Sequence, residues 1–200
     1  LAQAQLSHKA SNGFSYGLTT GYVSEENSLF SSSSSGAFGN INDNRSLHTS
    51  LSASWEINDK TNIFATYTDA TVKPSFSEDS LLGNWSRIYA NSFAVGLTTQ
   101  ARFIDGDRLG ISFGQPLRVR KSNVDATLPV GRDLSGNVLQ ETQRVDLAPT
   151  GRQIDIQLAY SLKIGSQSEI SSFATLSLEP GHNQSSGPES AVGFKWSREF

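Results

Sequence analysis

The three histidines are the first residues to test for chemistry, and they stand far apart at His8, His48 and His182. Their separation lacks the short spacing of metal ligands. His182 is followed by Ser185 and Glu189, and a histidine, a hydroxyl and a carboxylate are the groups that activate a serine nucleophile. Loops commonly contain these residue types, so we predict that no residue of this chain is catalytic.

Metal, cofactor and nucleic-acid sites are also not indicated. The chain has no cysteine, which excludes thiolate ligands and disulfides. The oxygen-rich run Asn40–Asn44 lacks the ligand spacing of a calcium loop and is typical of turns. The formal net charge is -3, whereas a nucleic-acid binder normally has a basic surplus. We therefore expect no metal, no cofactor and no nucleic-acid partner.

Period-two alternation is the main structural signal of the chain. In Phe14–Tyr22, large apolar side chains and Thr20 occupy one set of alternate positions, and serine, glycine and threonine lie between them. The pattern recurs at 47–57, 93–103, 109–117, 154–162 and 192–196, with weaker strands at 1–9, 61–68 and 168–179. No segment has a convincing helical period. The sequence predicts an all-β, antiparallel protein with about nine visible strands.

Charged residues within these segments share the face opposite the apolar one: Glu56, Arg102, Arg108, Arg118, Asp155 and Lys195. That face is otherwise small and polar. The predicted strands are about ten to twelve residues long, near the ~9–11 that cross a bilayer at a tilt. We therefore predict a transmembrane β-barrel in which these six residues face a polar lumen.

The connections alternate between short turns and long polar loops, as in transmembrane barrels. The turns are Lys9–Gly13, Asn58–Thr61, Ile104–Arg108 and Lys163–Ser168, and the main loops are Ser24–Arg45, Asp69–Ala90 and Arg120–Gly151. In the last loop we predict a separate hairpin with arms Val124–Leu128 and Val138–Val145.

The odd number of predicted strands indicates that residues 1–200 do not contain all strands of the barrel domain. Nine strands place the two ends of the chain on opposite sides, whereas single-chain bacterial barrels usually have an even number. We therefore expect further strands upstream, or a complementary chain that supplies them.

The last residues have the pattern of an assembly signal. Val192, Phe194 and Trp196 alternate toward a terminal Phe200, as in the strand that the barrel-assembly machinery reads in outer-membrane proteins. An unpaired strand edge suits recognition by strand addition. Arg198 departs from the usual apolar residue, at a cost near the interface of only about 0–1 kcal/mol.

The second half also resembles a known group. The segments that carry the likeness are Gly106–Ser112, Gln115–Val119, Leu128–Asp133, Leu147–Asp155 and Pro180–Asn183. They are similar to the C-terminal autotransporter-type β-barrel domain of alphaproteobacterial subtilisin-like serine peptidases. The resemblance implies a barrel of twelve strands that anchors an N-terminal secreted protease, with no catalytic residue in this chain.

Together these patterns predict a bacterial outer-membrane translocator or anchor for an N-terminal passenger. Its expected partners are outer-membrane lipid, the assembly machinery and the passenger domain. The alternative is a soluble extracellular or cell-surface β-sandwich with a role in adhesion or assembly, because a sandwich also hides one face of each strand.

Overall fold

The computed structural model of the chain describes residues 1–29, 33, 39–77, 80–165 and 167–198. The described residues form twelve strands and a single 3-10 turn at Pro180–His182. The strands are β1 (Ala2–Lys9), β2 (Phe14–Glu25), β3 (Asn44–Asn58), β4 (Thr61–Val72), β5 (Leu82–Gly83), β6 (Ile88–Gln100), β7 (Asp107–Lys121), β8 (Asn123–Arg132), β9 (Val138–Asp146), β10 (Ile154–Ile164), β11 (Ser168–Leu178) and β12 (Glu189–Arg198).

Nine strands form one sheet in the order β1-β2-β3-β4-β6-β7-β10-β11-β12, and each is antiparallel to its neighbours. The predictions of an all-β antiparallel fold and of about nine strands are therefore confirmed. Within the described residues β1 and β12 each have one neighbour and do not pair with each other. The sheet is open there, so closure into a barrel stays a prediction.

The second sheet has three strands in the order β5-β8-β9. Strands β8 and β9 form a hairpin that runs from Asn123↔Asp146 at its base to Arg132↔Val138 near its tip. The hairpin predicted inside the Arg120–Gly151 loop is confirmed. Strand β5 pairs only with the base of β8, so most of the hairpin extends beyond it.

A small apolar core lies at the end of the sheet that carries the long loops. Ala70 and Val72 of β4 pair with Ala90 and Ile88 of β6, and all four are buried. Ile41 before β3 and Val124 and Ala126 of β8 are buried as well. Phe76 and Trp85 stack nearby in the loops, with their ring planes 3° apart. Apolar burial is therefore concentrated where loops meet strand ends.

Aromatic rings lie over glycines on one face of the nine-stranded sheet. A Cβ added at Gly96 would lie 2.5 Å from the Phe64 ring and 2.8 Å from the carbonyl oxygen of Ile111. The Phe173 ring covers Gly193 in the same way, and the His48 ring covers Gly21. Gly96 needs glycine because a backbone carbonyl as well as a ring occupies the space of a side chain, whereas a side chain at Gly21 or Gly193 would have to displace the covering ring.

Candidate functional site

The most distinctive surface is the apolar face of the nine-stranded sheet. Direct cross-strand pairs join one apolar residue from each of eight strands into a continuous row. The row is Phe14, Trp55, Ile63, Leu97, Ile111, Leu158, Ala174 and Val192. Because cross-strand neighbours lie about 5 Å apart, this register makes one apolar band.

This apolar face is open in the described part of the chain. Ile111 is 49% exposed and Leu158 46%, although both lie in the middle of long strands. In a soluble sheet, such residues would be covered by a second layer. The three-stranded sheet does not provide one, since Ile111 and Leu158 stay exposed with that sheet in place. Within the described residues, the middle of this apolar face therefore has no second protein layer over it.

The opposite face, here called the polar face, carries four of the six predicted lumen charges. Lys195, Ser171, Ser161 and Arg108 form one cross-strand row, followed by Gln100. Asp155 lies at the other end of β10 and accepts hydrogen bonds from Ser177 Oγ at 2.7 Å and Gln153 Nε2 at 2.9 Å. Glu56 forms an ion pair with Lys9, with Oε1 and Nζ 2.7 Å apart. Asp155 thus lies near one end of β10, and the row that contains Arg108 and Lys195 crosses β10 near its other end.

Arg102 lies elsewhere. Strand β6 ends at Gln100, and Ala101 has a φ of 48°, so Arg102 belongs to the turn before β7. The sequence prediction that placed Arg102 on a strand face is wrong because the alternating pattern continues past the true strand end. No sequence signal at Ala101 marks this break.

Arg118 also differs from its prediction. The register shifts between Asn91↔Arg118 and Phe93↔Gln115, so β7 has one extra residue there. The shift pairs Arg118 with Asn91, on the face of Phe93. Its Nε donates to the Gly151 carbonyl and its Nη2 to the Pro149 carbonyl, each at 2.8 Å. Through these two hydrogen bonds Arg118 holds the loop before β10 against β7, and this contact is called the loop clamp. Pro116 was the available signal, because proline inside a sheet is confined to edges or bulges.

Sequence reasoning did not single out Asp107, the buried first residue of β7. Its carboxylate accepts hydrogen bonds from the backbone N–H groups of Arg102, Phe103 and Ile104 at 2.8, 2.9 and 3.1 Å. The Tyr160 hydroxyl donates a fourth at 3.3 Å. One side chain thus satisfies three turn amides and ties the β6–β7 turn to β10.

At the loop end, the apolar face gives way to a polar and aromatic belt. Asn91 Nδ2 donates to the Tyr67 hydroxyl at 3.3 Å. Arg120 pairs with Asp69, with Nη2 and Oδ2 2.9 Å apart, and its guanidinium carbon lies 5.6 Å from the Tyr89 ring centroid. Charged and aromatic groups together are typical of the boundary between a hydrocarbon layer and water.

The histidines are not brought together. His8 lies on β1 with its ring 5.5 Å from that of Tyr16. His182 Nδ1 accepts the Gln153 N–H at 2.9 Å, so Nε2 carries the proton and donates to the Leu117 carbonyl at 3.1 Å. Both ring nitrogens thus bond the backbone, and Ser185 Oγ donates to Asn183 instead. Among the described residues, no group of three histidine, aspartate or glutamate side chains is placed to hold a metal.

Three of the four residues of the predicted assembly signal lie on β12. Val192, Phe194 and Trp196 face the same side as Ala174, Ser172 and Ile170 of β11, and all three are well exposed. Phe200 lies outside the described residues.

Comparison with known proteins adds no assignment. No family model matches the chain, and no curated protein matches it. No helix within the described residues is long and apolar enough to span a membrane.

Proposed function

We propose that the chain is part of an outer-membrane β-barrel that anchors and helps export an N-terminal passenger domain. One observation carries the proposal: an unbroken apolar row crosses eight antiparallel strands, with five of its eight residues exposed and the other three half-buried. Lipid tails would cover this band in place of a second protein layer. The passenger, a subtilisin-like protease, is proposed from the sequence resemblance alone.

Strand length and polarity support the same proposal. The eight strands that carry the row have 10 to 15 residues, which suffices for the ~9–11 residues of a tilted membrane strand. The polar face would line the lumen, where Glu56, Arg108, Asp155 and Lys195 remain hydrated. In a bilayer, the open edges of β1 and β12 must be paired, because unpaired backbone groups are costly in lipid. Further strands, upstream or from a complementary chain, would complete the barrel and give the proposed total of twelve.

The soluble β-sandwich gains no support from the geometry. A sandwich buries the inner face of each sheet against the other at a separation of about 10 Å. Here the apolar face has no such partner within the described residues. That alternative would require a second layer from outside the described residues to cover the whole band.

Heat-modifiability of the native protein tests the proposal. The protein is extracted in mild detergent from an outer-membrane fraction, and boiled and unboiled samples are compared on a gel. We expect outer-membrane fractionation and a mobility shift on boiling. A soluble protein without a shift would refute membrane insertion and would favour the extracellular sandwich.

A further inference from the structure

The hairpin of β8 and β9 has one unprotected edge. Among the described strands β9 pairs only with β8, so one side of its nine residues has no strand partner. Every residue of β9 is exposed. A free strand edge presents a row of backbone donors and acceptors that another strand can pair with.

The two edges of the hairpin differ in protection. Beyond Ala126, where pairing with β5 ends, β8 carries Pro129 and a register shift between Pro129 and Gly131. Proline and bulges are the usual devices that prevent edge pairing. Strand β9 has no proline, lysine or glycine in Val138–Asp146, and its register shows no shift on its own side. Of the two hairpin edges, only the β9 edge is therefore suited to strand addition.

The sequence of β9 is complementary to a second copy of itself. In an antiparallel pair centred on Thr142, Thr142 faces its own copy and Leu139 faces Val145. In the same register Gln140 faces Arg144, Glu141 faces Gln143 and Val138 faces Asp146. No like charges lie opposite each other, and the exposed Leu139 and Val145 meet as apolar pairs on one face. Cross-strand pairs of this kind stabilise a sheet, whereas opposed like charges destabilise it.

We propose that β9 is a homodimer interface, in which two copies of the chain pair antiparallel about Thr142 through their free β9 edges. The contact is isologous, as a two-fold dimer requires, because the same residues serve both copies. It joins the two three-stranded sheets into one six-stranded sheet in the order β5-β8-β9-β9-β8-β5. The inference concerns the loop hairpin and does not depend on membrane insertion.

Single-cysteine cross-linking of the full chain tests the interface, because the natural chain has no cysteine. In the proposed pair, the two thiols introduced by Thr142→Cys lie directly opposite each other, where Cβ atoms are about 4.5–5.5 Å apart. The matched control is Thr127→Cys, whose native hydroxyl lies 2.9 Å from that of Thr142 but on β8. Mild oxidation or a short bis-maleimide should give mainly dimer for Thr142→Cys and background dimer for Thr127→Cys.

The register is tested by mixing two further variants. Gln140→Cys mixed with Arg144→Cys should give a mixed dimer, while each variant alone should cross-link far less, because residue 140 faces residue 144 of the other copy. Equal cross-linking at 127 and 142 would indicate random collision and overturn the proposal. So would the absence of dimer at 140, 142 and 144 in chains whose thiols still react with a maleimide.

Discussion

Replacing Leu158 by lysine distinguishes a lipid-facing surface from one that faces water. Leu158 lies in the middle of the apolar row, between Ile111 and Ala174, and is 46% exposed. If this face meets water, Leu158→Lys removes a half-buried contact and costs about 1 kcal/mol. If it meets the bilayer midplane, the charge costs about 2–4 kcal/mol.

The larger cost corresponds to about a 30- to 700-fold smaller folding equilibrium constant, at about 1.4 kcal/mol per tenfold. The matched control is Gln157→Lys, one residue earlier and on the polar face, where it pairs with Thr175 and Ser112. We expect this control to stay within about 1 kcal/mol of the parent. The assay is guanidinium unfolding of the membrane-embedded protein, with the heat-modifiable band as the folded fraction. Equal effects of the two lysines would refute the orientation proposed for β10.

Three further predictions test the packing, the loop clamp and the hairpin. Gly96→Val places a side chain against the Phe64 ring and the Ile111 carbonyl and should destabilise the fold by about 1–3 kcal/mol. The control Gly131→Val, with open space around it, should have little effect in the same guanidinium titration. Arg118→Ala removes both hydrogen bonds to the Pro149 and Gly151 carbonyls and should lower the free energy of unfolding by about 1–3 kcal/mol. Arg118→Lys should restore only part of that loss. An unchanged guanidinium midpoint for Arg118→Ala would contradict the role of Arg118 in holding this loop. Hydrogen bonds from Arg144 and Asn84 lower the pKa of Asp125. The contribution of the ionised Asp125 carboxylate to hairpin stability is therefore complete above the unfolded-state pKa of about 3.9 and is lost as the pH falls through the pKa in the folded state. The protection factors of backbone amides at the hairpin base, which correct hydrogen exchange for its intrinsic pH dependence, should therefore fall below about pH 4. Asp125→Asn should remove this fall. An Asp125→Asn hairpin whose protection factors follow the parent's pH profile would show that the ion pair with Arg144 has no part in it.

The strands and their faces could be predicted because alternation is a local property. Each strand shows in its own sequence which residues share a side, and direct pairing then aligns Phe14, Trp55 and Ile63 across three neighbouring strands. The β8–β9 hairpin was predictable for the same reason. Each of its two arms has alternating apolar and polar residues. In the turn between them, the backbone N–H groups of Ser135 and Asn137 donate hydrogen bonds to the Asp133 carboxylate.

The misplaced residues depend on irregularities in pairing. An extra residue in β7 moves Arg118 and its neighbours to the opposite face of the sheet. The position of such an extra residue depends on the partner strand as well as on the local sequence. Arg102 follows a strand end set by the positive φ of Ala101 and by the Asp107 carboxylate. The contacts of Asp107 become visible only when the β6–β7 turn and Tyr160 are placed in space.

The most direct test asks which face of the sheet meets lipid. Single cysteines at Ile111, Ser112, Gln157 and Leu158 of the otherwise cysteine-free chain are labelled with a small fluorophore, and the protein is folded into vesicles that contain brominated lipid. We predict strong quenching at 111 and 158 and weak quenching at 112 and 157, because neighbouring residues of a strand point to opposite faces. Equal quenching at all four positions, or stronger quenching at 112 and 157, would contradict a barrel with its apolar face toward the membrane.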